Sequence, residues 1–299
     1  MRVLHSIPSH LTDDFNYCRD IVRKNTENFP VGSLLAPRRM RPHLHAIYAF
    51  ARTADDFADL PGREDNTRLQ LLDDWSRRLT QIQYGKPDHP VFRALCHTFE
   101  VTGLTTAPFH DLLIAFRLDV TNKNYETLDE LEEYCRYSAN PVGRIILHLA
   151  GEAIIEPGEE LPQKVKYSDA ICTALQITNH LQDLGQDIAN NRPLYLPREE
   201  MERFGVNEDM LLQRRFTPML GNFVLDLVDQ SKQLIDYGAP LVTQLQWPLN
   251  LEIAAIIEGG LGVLNKIDEQ GGNTLRNRPK LSKWDKAGCI WRANQRTKS

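Results

Sequence analysis

The chain of 299 residues is poor in strand-like alternation, in glycine-rich phosphate loops and in long apolar runs. Each absence removes a class of function. Gly259-Gly260-Leu261-Gly262 does not complete G-x-G-x-x-G and follows no strand pattern, so dinucleotide chemistry has no visible home. Neither G-x-S-x-G nor H-E-x-x-H occurs. The longest apolar stretch, Arg144–Ile155, is interrupted by Glu152 and is too short to span a bilayer. The start, MRVLHSIPSH, has no apolar h-region, so a cytoplasmic location is expected. The five cysteines (Cys18, Cys96, Cys135, Cys172, Cys289) are odd in number and form no C-x-x-C, which argues against a disulfide framework or a zinc knuckle. Plain buried thiols are expected instead. Basic charge is not in excess either. With 25% charged residues and a net charge of −5, no nucleic-acid footprint is present.

What is present is helical periodicity and, at 41% hydrophobic, enough apolar material for a large core. The pattern predicts helices over Asp13–Asn28, Met40–Leu60, Thr67–Tyr84, Pro90–Val101, Pro108–Thr121 and Leu128–Ala153, the last interrupted or kinked at Pro141. Further helices are predicted over Val165–Ala189, Asn207–Tyr237 with a break at Pro218, Asn250–Gln270 and Leu281–Ala293. No low-complexity linker divides the series. The expected architecture is one all-α domain over residues 1–299, with its core from about 11 to 293, built as a helical bundle around a central cavity.

Two acidic stretches stand out against this background. In FARTADDFAD, Asp55 and Asp59 are i and i+4 and share a helix face with Arg52, while Asp56 lies about 100° around. Like charges at this spacing repel by about 0.2–0.5 kcal/mol, and the helix C-terminus disfavours negative charge. The spacing recurs in ITNHLQDLGQDIAN, where Asp183 and Asp187 follow Asn179 by one and two turns. Leucines and isoleucines surround this second set, so its carboxylates need partners or metal. Hard carboxylate oxygens without His or Cys suit magnesium, and the two motifs are expected to face each other across a cavity. His43 and His45 point to different faces and read as surface or capping histidines.

On these residues the chain resembles the squalene/phytoene synthase family of head-to-head prenyl synthases, over roughly Asn16 to Arg292. The matching elements are Arg52-x-x-Asp55-x-x-x-Asp59, then Asn179-x-x-x-Asp183-x-x-x-Asp187 followed by Tyr195-Leu196-Pro197, and Tyr134-Cys135-x-Tyr137 with Val142-Gly143. The segment ENFPVGSLLAPRRMRPHLHAIYAFARTADDFAD, the C-terminal GGLGVLNKIDEQGGNTLRNRPKLSKWDK, and Gln182 where relatives commonly carry Arg, are similar to the hydroxysqualene synthase subgroup. The resemblance implies an isoprenoid synthase fold. It also implies magnesium-assisted conversion of presqualene diphosphate to hydroxysqualene, between a presqualene diphosphate synthase and a flavin-dependent reductase. The alternative within the family is a presqualene diphosphate, squalene or phytoene synthase that condenses two prenyl diphosphates. A non-catalytic scaffold is a third reading.

Carried onto this sequence, the resemblance assigns Asp55, Asp59, Asp183 and Asp187 to metal, with Asn179 assisting. Arg52 either holds diphosphate or tethers Asp55 or Asp56. Tyr134 matches the family's active-site tyrosine, Ser33 a polar position at the substrate end, and Tyr195 the Tyr-Leu-Pro element. Phe29 and Tyr48 either line the substrate or belong to the core. Gln182 or neighbouring His180 is expected to position the attacking water. Oily substrate and product imply peripheral membrane contact through an apolar rim or an amphipathic helix. The basic residues Arg276, Arg278, Lys280, Lys283 and Lys286 either approach anionic lipid or form a solvated tail.

Overall fold

The computed structural model describes residues 7–25, 38–82, 84–85, 87–121, 124–152, 160–190 and 192–298. Contacts group the chain into two compact units, residues 1–121 with 144–156, and residues 122–143 with 157–299. Among the described residues the architecture is all helical, apart from an isolated parallel bridge between Tyr125 and Pro197.

The first five helices are α1 (Thr12–Lys24), α2 (Arg41–Ala58), α3 (Asp65–Gln81), α4 (Pro90–Thr102) and α5 (Ala107–Val120). Proline supplies several starts. Pro90 opens α4 while the His89 side chain accepts from the amide of Val91, and Gly103, at φ 72°, ends it in the left-handed conformation. Phe50 of α2 anchors the core of this unit. It packs against Trp75, Phe92 and Phe109 at ring separations of 5.9, 6.0 and 5.2 Å, and its carbonyl accepts the indole N–H of Trp75. The core extends through Leu72, Leu79, Leu95 and Leu113. Buried Asp14 of α1 is held by a forked ion pair from Arg93 of α4.

His43 corrects a sequence expectation. It is fully buried, not a surface or capping residue. Thr98 Oγ1 donates to the Ala94 carbonyl and so accepts from His43 Nδ1 at 3.0 Å. That fixes the proton on Nδ1 and leaves Nε2 without a hydrogen bond. Burial, with the nearby His97 ring, pushes the His43 pKa down to about 4.

Helices α6 (Leu128–Ser138) and α7 (Asn140–Ala150) replace the single interrupted helix expected around Pro141. The rest are α8 (Gln163–Ala189), α9 (Arg198–Arg203), α10 (Glu208–Leu212), α11 (Pro218–Gly238), α12 (Leu241–Gln244), α13 (Leu249–Glu269) and α14 (Lys283–Arg296). Pro218 is where α11 begins, with Thr217 accepting from the amide of Leu220. Helix α8 is the long central element of the second unit and packs along α11 and α13; Leu181, Leu184, Phe223, Val224, Ile257 and Leu264 of these helices are buried. Close approach requires small residues on this helix pair. A Cβ at Gly238 would lie 2.5 Å from the Ile171 side chain. Cys18, Cys135 and Cys289 are buried as free thiols; Cys96 and Cys172 are half-buried.

Candidate active site

The first acidic motif occupies the last turns of α2. Arg52 bridges two carboxylates, reaching Asp55 at 3.1 Å and Asp56 at 2.6 Å. Of the two roles open to Arg52, the tether is therefore formed here. Asp59 caps the helix, its amide donating to the Asp55 carbonyl at 2.9 Å. The Asp55 side chain keeps 38% of its exposure. Even so, desolvation, the charge of Asp59 and the weaker influence of Asp119 raise its pKa to about 7 against the pull of Arg52. Asp119, on α5, carries no local pattern that marks it in the sequence. Tyr48 stands one turn before Arg52 and is half-buried.

The second motif lies along α8, whose uninterrupted helix stacks Asn179, Asp183 and Asp187 on one face. Arg278 donates to Asp183 through Nε and through Nη2, the latter to Oδ2 at 3.1 Å. Asp187 has Arg192 at 4.0 Å. Gln182 is buried, 5% exposed, with both ends of its amide engaged. Its Nε2 donates to the Pro279 carbonyl at 2.5 Å and its Oε1 accepts from Arg278 at 3.2 Å. The segment after α13 thus crosses α8, and Gly185 makes the crossing possible. A Cβ there would sit 2.2 Å from the Leu275 carbonyl oxygen, which also accepts from Arg214 at 2.5 Å. Of the five basic residues singled out in this region, Arg278 belongs to this site and not to a solvated tail.

Above the same face is a ring stack. Tyr195 lies on His180 at 4.0 Å with planes 12° apart, and Tyr134 meets Tyr195 at 5.1 Å. Tyr125 joins at 5.4 Å from Tyr134. The bridge to Pro197 and the Arg198 amide donating to the Tyr125 carbonyl at 3.0 Å hold the Tyr-Leu-Pro element in place. Burial drives the His180 pKa down to about 3, so its imidazole is neutral, with Gln176 at 3.3 Å from Nε2. Tyr125 is a second residue that sequence reasoning missed; its partners lie nine and seventy residues away and leave no local spacing. Phe29 and Ser33 lie outside the described residues. A pocket of about 210 Å³ between α6, α8 and α11, lined by Leu128, Glu132, Ile177, Leu227, Gln230, Gln233 and Leu234, contains none of the expected site residues.

The two acidic motifs belong to different units. Among the described residues no three His, Cys, Asp or Glu side chains gather into a metal site by themselves. The donor set nevertheless suits a hard cation. Asp55 is a carboxylate crowded by like charge, with a raised pKa, which is the condition a divalent ion relieves.

The family model described as squalene/phytoene synthase matches residues 22–285. The hydroxysqualene synthase of Rhodopseudomonas palustris is 36% identical over 77% of this chain and 75% of its own length. That of Sinorhizobium fredii is 32% identical over 86% of this chain and 84% of its own. The crystal structure of squalene synthase HpnC from Alicyclobacillus acidocaldarius superposes with a TM-score of 0.82 at 36% identity, covering 90% of this chain and 98% of that one. The all-helical architecture is therefore that of an isoprenoid synthase. The chain belongs to the squalene/phytoene synthase family of enzymes.

Proposed function

We propose that the enzyme converts presqualene diphosphate and water to hydroxysqualene and diphosphate, with magnesium as cofactor. The observation that carries this reading is the α8 face: two aspartates and an asparagine in register, with Gln182 in place of arginine and a ring stack alongside. Relatives named hydroxysqualene synthase support the same choice within the family.

Asp55 and Asp59 in the first unit, and Asp183 and Asp187 with Asn179 in the second, would hold the magnesium ions. Bound there, magnesium supplies neutralisation of the charge that grows on the departing diphosphate. Arg52, already forked between Asp55 and Asp56, has the donor geometry to hold diphosphate oxygens. Departure of diphosphate with its bonding electron pair leaves a cyclopropylcarbinyl cation. The faces of Tyr134, Tyr125 and Tyr195 suit such a cation and keep bulk water from it. Rearrangement and attack by one water then give the alcohol, and a proton is lost. His180 is the better candidate for orienting that water, because both ends of the Gln182 amide are committed while the neutral His180 ring, its Nε2 accepting from the Gln176 amide, keeps an Nδ1–H to direct at it. Gln182 acts instead by holding residues 278–279 against α8. Such an enzyme works between a presqualene diphosphate synthase and a flavin-dependent reductase, with peripheral contact to the membrane that dissolves its substrate.

Offering radiolabelled presqualene diphosphate and farnesyl diphosphate separately tests this. Consumption of the first and little product from the second is expected. Efficient condensation of farnesyl diphosphate alone moves the enzyme to the two-substrate branch of the family.

A further inference from the structure

Helix α14 has a side that nothing among the described residues covers. Its inner side is fixed. Cys289 and Ala293 are buried, Cys289 Sγ lies 3.3 Å from the Glu258 carbonyl, and buried Glu258 accepts from Arg292 at 2.6 Å and Arg296 at 2.8 Å. Lys266 of α13 adds an ion pair with Asp285 at 3.1 Å. These anchors set the rotation of α14 about its axis. The outer side then carries Trp284 and Trp291, seven residues apart and so on one face. They are 88% and 65% exposed, and Ile290, about 100° around the helix from Trp291, is 61% exposed. Two tryptophans turned out to water by a rigid clamp are not left over from core packing.

The charge around them has one sign. Residues 276–299 hold eight basic residues and a single acid, Asp285, for a net of +7 in a chain whose total is −5. Asp285 is already neutralised by Lys266 and by the Ser282 capping box, and Arg278, Arg292 and Arg296 are turned inward. Arg276, Lys280, Lys283, Lys286 and Lys298 remain exposed.

We infer that the outer face of α14 docks the enzyme on an anionic lipid surface, the helix lying in the interface with Trp284 and Trp291 at headgroup depth. Tryptophan partitions to that depth because its ring is apolar and its N–H needs a polar partner. Lysines on flexible stems reach lipid phosphates from the rim. No helix of the described residues is long and apolar enough to cross a membrane, which fits a helix that lies on the surface. The inference rests on the proposed function only for the oily nature of the substrate; the surface itself stands on exposure and charge.

Flotation of the full chain with phosphatidylcholine vesicles, with and without phosphatidylglycerol, tests it. Wild type should float with the anionic vesicles and lose binding at high salt. Trp284→Ala/Trp291→Ala should lower the bound fraction by about tenfold, and Lys280→Glu/Lys283→Glu/Lys286→Glu should remove the preference for anionic lipid. Both variants alter exposed side chains, so unchanged circular dichroism and unchanged turnover of detergent-dispersed prenyl diphosphate are expected. Turnover in detergent without flotation by wild type overturns the docking inference and leaves the proposed function standing. Flotation that survives the paired tryptophan change also overturns it. So does a concentration-dependent dimer, seen by light scattering, that this change abolishes.

Discussion

Arg278 donates to Asp183 Oδ2 at 3.1 Å from a position 95 residues further along the chain. A guanidinium therefore neutralises the acid on which the α8 motif is centred. Neither side chain of the pair is more than a third exposed, at 16% for Arg278 and 29% for Asp183. Arg278→Met leaves a part-buried carboxylate without its partner, a loss of about 1–3 kcal/mol. Thermal melts with and without magnesium should show a lower melting temperature and a larger magnesium-induced rise than wild type. Asp183→Asn should show a smaller rise and negligible turnover while keeping its helical spectrum. Equal magnesium shifts in all three proteins would detach Asp183 from metal.

The crossing of residues 274–280 over α8 depends on a missing side chain. Gly185→Ala brings a Cβ against the backbone of Leu275, where no flexible atom can yield. A destabilisation of about 1–3 kcal/mol is expected, with faster amide exchange through the crossing segment. Gly85→Ala is the control. Nothing lies within 4 Å of its Cβ position, so its effect should stay within about 0.5 kcal/mol.

Acid should weaken the first unit through His43. Its pKa falls from 6.5 in the open chain to about 4 in the folded one. Between those values the unfolded chain binds the extra proton and the native state does not. Stability is thus complete above pH 6.5, declines as pH falls towards 4 and levels off below, a total of ~3 kcal/mol. Unfolding titrations in denaturant across this range should show the slope, and His43→Gln should flatten it.

Asp55 has the opposite sign. Its pKa rises from 3.8 to about 7, so the folded form holds a proton that the unfolded chain has released. From this group, stability decreases as pH rises from about 4 to 7 and stays lower above. At pH 8 and without metal, Asp55→Asn should therefore be more stable than wild type by denaturant unfolding. Magnesium affinity by calorimetry should fall as pH drops below about 7, because a proton then competes for the carboxylate.

What the sequence made legible was whatever repeats within one helix. The i, i+4 aspartates of α2 and α8, the starts at Pro90 and Pro218, and the interruption near Pro141 all follow from local geometry. Short helices such as α9 and α12 have too few turns to show a period. The long-range partnerships were not legible. Arg278 with Asp183, Thr98 with His43, and Tyr125 with Tyr195 are made by chain crossings, and neither member carries a local sign of the other. His43 was misplaced for this reason: one hydrogen bond donated to Thr98, 55 residues away, makes its burial tolerable.

The central claim is that diphosphate leaves and water takes its place. Purified enzyme should be incubated with presqualene diphosphate and magnesium in heavy-oxygen water, without nicotinamide, and the lipid product analysed by mass. The account predicts hydroxysqualene whose hydroxyl carries the heavy oxygen. Squalene, phytoene, an unlabelled alcohol or unchanged substrate would contradict it.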